Sequence, residues 1–435
     1  MDFASIIFLF LFLPLYLIVY YSSKNVKIKN LVLLIFSLLF YSWGEPYFIF
    51  LMIFSIIINF WLTTKMSQKN NKFLLFLIIL FNVAIIIISK HTAQLLPFGI
   101  GIYTLQALSY TIDVYKKKTK AQKNIFKFAC YIASFPQLLA GPIVRYKDIE
   151  NDLSKRKITI DDFTNGIRRF IIGLTKKVLI ANSMEFISSS IYNYDLVSTG
   201  FIGMLFASIS FSLQIYFNLS GYSDMAIGLG KMSGFDFPKN FDYPYMAKSI
   251  TEFWNRWNIT LLSFLKEYIY IPICNFKKST LSKVISIITV TLLTGLWYGK
   301  SWSVIIWGLY FTILLLIEKG LLKNKPKNNP LYRIFILFFI NMGWIIFSQT
   351  SFSKLLISLK ALFGFYGMGN ISSLYYLGIF SSRYIITLII GVLGSTKLFH
   401  YFLSKENVLN DLILLCLFII CIIFIITNNY SLFLF

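Results

Sequence analysis

Phe211-Ser-Leu-Gln-Ile-Tyr-Phe-Asn-Leu-Ser-Gly-Tyr-Ser-Asp-Met-Ala-Ile-Gly-Leu-Gly230 carries more polar side chains than a lipid-facing helix tolerates, yet apolar spans flank it on both sides. The same holds as far as Tyr310. Along the way come Asn240-Phe-Asp-Tyr-Pro-Tyr245, Ser249-Ile-Thr-Glu-Phe-Trp-Asn-Arg-Trp-Asn-Ile-Thr260, Tyr268-Ile-Tyr-Ile-Pro272, Gly295-Leu-Trp-Tyr-Gly299 and Trp307-Gly-Leu-Tyr310. Polar groups held at membrane depth are costly and mark a site. This reading makes the chain an all-α membrane protein whose functional residues lie in its middle.

Working outward, 57% of the 435 residues are hydrophobic, and the mean hydropathy is +0.70. Soluble domains rarely exceed half apolar. Many apolar runs approach bilayer-spanning length, so the chain is polytopic. No soluble-sized segment separates the spans, which predicts one membrane domain over 1–435. The net charge of +23 would suggest nucleic acid in a soluble protein. Here the lysines sit in short loops between spans, where they set topology beside anionic lipid. The four cysteines have no metal-ligand spacing with histidine and read as small buried residues. No metal is expected.

In chain order, Phe3 to Tyr20 reads as a retained span rather than a signal peptide, because it lacks a basic leader and a small-residue cleavage site. Lys24, Lys27 and Lys29 follow, then a short piece from Leu31 to Trp43, expected to tilt or be partly re-entrant, and a longer one from Pro46 to Leu62. Lys65, Lys69 and Lys72, and then Lys116, Lys117, Lys118, Lys120 and Lys123, form two further basic loops. All three loops are expected in the cytoplasm, which puts the N-terminus outside. Tyr146 to Asn165 reads as a surface loop. Gly166 to Asn182 is amphipathic, with Arg168, Arg169, Lys176 and Lys177 on its basic face; it either touches lipid headgroups or holds a phosphate-bearing donor such as coenzyme A. Met342-Gly-Trp-Ile-Ile-Phe347 reads as an interfacial aromatic anchor. The total is about ten or eleven crossings, counted with the span length a bilayer requires.

Within the central stretch, Ser249 to Tyr268 taken as one helix is amphipathic. Trp254, Trp257, Leu261, Leu265 and Tyr268 share one stripe; Glu252, Arg256, Thr260, Ser263 and Glu267 share the opposite one. Asn258 lies on the apolar stripe. Its carboxamide needs hydrogen-bond partners, either a backbone carbonyl or a ligand in a channel. In Gly295-Leu-Trp-Tyr-Gly299 the glycines allow close backbone approach, which presses Trp297 and Tyr298 against a neighbour. A buried tyrosine hydroxyl requires a partner.

These residues resemble the membrane-bound O-acyltransferase family. The likeness is to its bacterial branch, which contains the alginate O-acetyltransferases and the D-alanyl transfer protein of teichoic acid modification. Six ordered pieces between about 96 and 310 carry it. They are Leu96 through Tyr115, Phe135-Pro-Gln-Leu-Leu-Ala-Gly-Pro-Ile-Val-Arg145, Gly173 through Asn182, Gln214 through Gly228, Pro244 through Pro272, and Gly295 through Tyr310. The resemblance implies tilted transmembrane helices ringed around shorter ones with a tunnel through the core. It also implies acyl transfer, acetyl above all, from a cytoplasmic thioester such as acyl-CoA towards an extracytoplasmic hydroxyl, such as that of a cell-surface polysaccharide. The setting would be the bacterial cytoplasmic membrane, with an extracytoplasmic acyltransferase partner. It further implies substrate contacts at Arg145, Trp254, Arg256, Trp257 and Trp297, and donor contacts at Lys176 and Lys177.

The chain departs from the family where the chemistry should be. The family pattern Arg-Trp-His reads Arg256-Trp257-Asn258, and Gly-Leu-Trp-His-Gly reads Gly295-Leu296-Trp297-Tyr298-Gly299; the second of these histidines is the family's catalytic residue. The only two histidines of the chain, His91 and His400, lie outside both motifs. Asn218 also stands where the branch commonly has an aspartate. An imidazole with a pKa of about 6.5 suits removal of a hydroxyl proton at neutral pH. Tyr titrates near pH 10 as a rule, and Asn does not titrate in this range. Two expectations follow: an O-acyltransferase with altered chemistry at Tyr298 and Asn258, or a catalytically impaired relative that serves as a binding or partner scaffold. A secondary transporter would need broken helices paired in two similar halves, and no such repeat is present.

Overall fold

The computed structural model describes residues 1–44, 46–92, 99–320, 330–379, 382–398 and 407–427. Residues 96–98 of the first motif and His400 lie outside these, as does the side chain of His91. Among the described residues the structure is helical throughout, with no strand. Eight helices are long and apolar enough to cross a bilayer: Val26–Gly44, Phe48–Lys69, Lys72–Lys90, Leu196–Met232, Thr280–Tyr298, Trp302–Gly320, Pro330–Ser348 and Val408–Thr427. Phe8–Tyr21 and Tyr384–Gly394 are shorter apolar helices. The multi-pass, all-α expectation therefore holds. Large apolar side chains such as Phe50, Phe76, Ile313 and Ile334 are exposed on the spans, as lipid-facing residues are.

The chain forms two compact units. The first is built from Met1–Leu174, Tyr222–Lys239 and residues 425–427, the second from Thr175–Gly221 and Asn240–Phe424.

In the first unit, polar side chains join the spans. Asn59 and Asn82 exchange amide hydrogen bonds of 3.2 and 2.7 Å, and Thr63 meets Thr111 at 2.9 Å. Such contacts lock helix register where lipid offers no competing partner. The piece beginning at Leu31 is not short. Its helix starts at Val26 and takes in Lys27 and Lys29, because lysine stems lie along a helix end while the ammonium reaches the interface. Nor is Tyr146 to Asn165 a plain surface loop. Tyr146, Ile149, Leu153 and Arg156 are buried. Arg156 donates to Asn30 Oδ1 at 2.8 Å and lies 4.2 Å over the Phe235 ring. Aromatic faces and one amide thus shelter a charge that composition alone assigns to water.

The amphipathic helix of this region runs Ile160–Thr175. Gly166 touches Gly228 so closely that a Cβ on Gly166 would sit 2.8 Å from the Gly228 carbonyl oxygen. Arg169 is spent on Asp224, at 3.0 Å, rather than on lipid.

The lysine loops give a direct test of topology. Single cysteines at Lys27, Gln68 and Lys120 should react with an impermeant reagent only after the membrane is opened. Lys120 is the right probe of the third loop because neighbouring Thr119 is buried. Reaction at any of the three in intact cells would overturn the topology.

Candidate functional site

The second unit brings the two departing motif positions together. Ser249–Tyr268 is not one helix. It breaks into Ile250–Arg256 and Ile259–Leu265, with Asn258 between them in the left-handed region at φ 42°. Asparagine is among the few non-glycine residues that adopt this conformation readily. The break is held from outside the segment. Ile259 N donates to the Asn240 carbonyl at 2.8 Å, Asp242 N donates to the Arg256 carbonyl at 2.9 Å, and Asn240 Oδ1 accepts from Thr260 N and Oγ1. Ser249 caps the first helix through Glu252 N. Glu318, at the end of Trp302–Gly320, accepts from Ile250 N at 2.7 Å and from Thr251 N at 3.2 Å.

That break aims Asn258 at Tyr298, the last residue of Thr280–Tyr298. Asn258 Nδ2 donates to Tyr298 Oη at 2.8 Å, and Trp257 Nε1 donates to the same oxygen at 3.1 Å. Trp257 is fully buried, Tyr298 6% exposed and Asn258 9% exposed. Gly295 makes the Tyr298 end possible: a Cβ there would lie 2.4 Å from the Val304 carbonyl oxygen. The close helical hairpin sets the Trp307 ring edge-on to Tyr298, with centroids 6.1 Å apart.

Aromatic rings wall this cluster. Trp257 packs on Trp344 at 4.8 Å, on Phe241 at 5.3 Å and on Phe253 at 5.5 Å, and Trp254 meets Trp307 at 5.5 Å and Phe311 at 5.0 Å. Trp344 is therefore no interfacial anchor. It is buried, and Gly343 leaves the room that Phe311 occupies beside its helix. Sequence reasoning also passed over Asn240, Glu318 and Trp307 as builders of the site. The Trp307-Gly-Leu-Tyr310 motif was a signal for the last; nothing local marks the first two, whose contacts are distant in sequence.

The other expected site residues are placed as follows. Arg256 donates twice to Glu252 Oε1, at 3.0 and 2.7 Å, and once to the Asp242 carbonyl. Burial pushes the Glu252 carboxyl up, but the Lys248 N–H and the Arg256 guanidinium outweigh it and hold the group below its ordinary range. Arg256 thus fixes the turn before Trp257. Trp297 is half-buried at the edge of the aromatic wall. Lys176 and Lys177 lie in a π-helical turn, Lys176–Ala181; Lys176 is half-buried and Lys177 buried. Burial raises the affinity of Glu185 for its proton, and the charge of Lys177 partly offsets it. Asn218 is buried on Leu196–Met232. Arg145, in the first unit, precedes the short helix Tyr146–Ile149 and is half-buried. Among the described residues no three His, Cys, Asp or Glu side chains come together as a metal site.

Residues 119–359 match the model of the MBOAT, membrane-bound O-acyltransferase, family. The chain belongs to that family. It is 37% identical over 361 residues to a Pseudomonas fluorescens protein named probable alginate O-acetylase AlgI, covering 80% of this chain and 72% of that one. It is 30% identical over 429 residues to the peptidoglycan O-acetyltransferase of Helicobacter pylori, covering 85% and 80%. It is 27% identical over 274 residues to the teichoic acid D-alanyltransferase of Bacillus subtilis, covering 58% and 69%. In this chain Asn258 and Tyr298, where the resemblance implies histidines, are hydrogen-bonded to one another.

Proposed function

We propose that this protein moves an acyl group, acetyl above all, from a thioester such as acyl-coenzyme A on the cytoplasmic side towards an extracytoplasmic hydroxyl acceptor such as that of a cell-surface polysaccharide. A secreted acyltransferase partner would complete delivery. The new bond joins the acceptor oxygen to the acyl carbon, the C–S bond breaks, and the acceptor proton ends on the leaving thiolate. One observation carries the reading: Asn258 and Tyr298, far apart in sequence, meet in one buried cluster at the family's motif positions. Family membership and the names of the relatives support the chemistry and the class of acceptor.

In this reading the cluster supplies hydrogen bonds rather than a base. Tyr298 and the amide of Asn258 orient the acyl carbonyl, and fixed dipoles of this kind stabilise charge that develops on the carbonyl oxygen. The lysines of the second unit support this sidedness, with Lys300 alone beside Tyr298. Lys277, Lys278 and Lys283 crowd the start of Thr280–Tyr298, and Lys319 closes Trp302–Gly320. By the positive-inside rule this supports a cytoplasmic position for that end and an outward one for the Tyr298 end. The half-buried Lys176 is the candidate contact for a donor phosphate.

A second reading has its own observation. Asn258, Trp257 and Tyr298 satisfy one another's polar groups, as a closed structural lock would. That suits a catalytically impaired relative acting as a scaffold. The test is acyl transfer in membranes that hold the protein and its native partner, followed by release of coenzyme A and by labelled acetyl on the polysaccharide. Turnover above membranes lacking the chain supports the enzyme. No turnover, with the partner still retained at the membrane, leaves the scaffold.

A further inference from the structure

We infer that residues 361–379 form a membrane seat that lies in the headgroup layer of the bilayer, at the same end of the second unit as Tyr298. The segment Ala361-Leu-Phe-Gly-Phe-Tyr-Gly-Met-Gly-Asn-Ile-Ser-Ser-Leu-Tyr-Tyr376 contains no charged residue, and none follows before Arg383. It does not form a span. It folds as a glycine-rich turn followed by the short helix Ile371–Tyr376. Yet Phe365 is 76% exposed, Ile371 81%, and Tyr375 and Tyr376 79% each. Tyr194 joins the patch, its ring 5.8 Å from that of Tyr376.

The segment is not loose chain. Phe201 N donates to the Gly367 carbonyl at 3.0 Å, Ile202 N to the Met368 carbonyl at 3.2 Å, and Asn370 N to the Ser198 carbonyl at 2.7 Å. Gly200 and Gly369 meet there so tightly that a Cβ on Gly369 would lie 2.1 Å from the Thr199 carbonyl oxygen. Leu374 and Ile379 are buried beneath it. The fold therefore holds the aromatic side chains outward on a fixed backbone.

Three features select the bilayer interface as the occupant. Apolar helices stand on both sides, Pro330–Ser348 before and Ser382–Gly394 after, and they tether the segment to membrane height. Tyrosine and other amphipathic aromatics are enriched where an apolar body meets headgroups. A protein-docking patch is ringed by a polar rim; this stretch carries no charge, and its exposed polar side chains are those of Asn370 and Ser372. The end of the unit is fixed by Trp302, whose Nε1 donates to the Thr350 carbonyl at 3.1 Å just beyond Ser348; Trp302 opens the helix that follows Tyr298. The seat thus anchors the start of Leu196–Met232, through Ser198 to Ile202, at the height of the headgroups.

Depth measurement by spin labelling tests this. Single cysteines at Phe365, Ile371 and Tyr376, in a chain whose native cysteines are replaced, carry a nitroxide in liposomes of a phosphatidylglycerol and phosphatidylethanolamine mixture. Lys354, exposed on Phe352–Leu362, is the reference. At the three seat positions the ratio of oxygen to aqueous nickel-chelate relaxation should be higher than at Lys354, as it is for side chains at the headgroups rather than in bulk water. The three labels report independently, so failure of one variant to fold leaves the others. A ratio no higher than that of Lys354 at all three would overturn the proposal, and the patch would then be a water-facing surface for a glycan or protein.

Discussion

Tyr298→His should raise acyl transfer by about 10² to 10⁴-fold over the parent, the usual contribution of a positioned general base. The tyrosine oxygen already sits where Asn258 Nδ2 reaches it at 2.8 Å and Trp257 Nε1 at 3.1 Å. An imidazole on the same helix end falls within the same aromatic wall. Its neutral form accepts a proton near pH 7, which a phenol does not do. The gain should therefore be pH-dependent. Activity should rise through about pH 6.5 as the imidazole loses its proton, and a parent that works through the tyrosine hydroxyl should show no such step. Adding Asn258→His should contribute less. The backbone there is left-handed at φ 42°, a region that histidine, like asparagine, enters more readily than most residues, so the second change is tolerated but supplies no new base at the reacting position. Release of coenzyme A and labelled acetyl transfer, in membranes with the native partner, read both variants. A parent and double variant that are equally inert would show that more than the base is missing, and would favour the scaffold.

Much of this arrangement was legible in the sequence, and what was hidden has a common cause. Apolar runs of bilayer length announce a polytopic helical protein because periodicity and length are local properties. The motif positions were legible too, since Gly295 to Gly299 and Arg256 to Asn258 stand out from the apolar background. The break at Asn258 was not. Residues 249–268 carry a good helical stripe, and what interrupts it is Asn240, whose carbonyl and side chain bind Ile259 and Thr260 from outside the segment. The same applies to Trp344, which reads as an interfacial aromatic until its contact with Trp257 is known. Arg156 reads as a loop charge until Asn30 and Phe235 are seen around it. Non-local partners decide each case, and a single sequence does not display them.

Tyr298→Phe should separate catalysis from architecture, because it removes one oxygen and leaves the ring. Two buried donors lose their acceptor, the amide of Asn258 and the indole N–H of Trp257. An unsatisfied buried polar group costs about 1–3 kcal/mol, so thermal stability in detergent should fall. Asn258→Gly in the Tyr298→Phe background should recover part of the loss, since glycine suits the left-handed backbone and takes away one orphaned amide. Groups that touch couple by about 0.5–3 kcal/mol in a double-mutant cycle, and a coupling near zero would mean that the hydrogen bond does not hold the site. Activity is read on the same proteins. If the hydroxyl orients the acyl group, Tyr298→Phe should abolish transfer, and the stability recovered by Asn258→Gly should not bring it back. If Tyr298→Phe remains fully active, transfer runs through another residue and the assignment of Tyr298 fails. If stability falls while a parent already inert stays inert, the Asn258–Tyr298 bond is a lock within the core, and the chain works by what it binds.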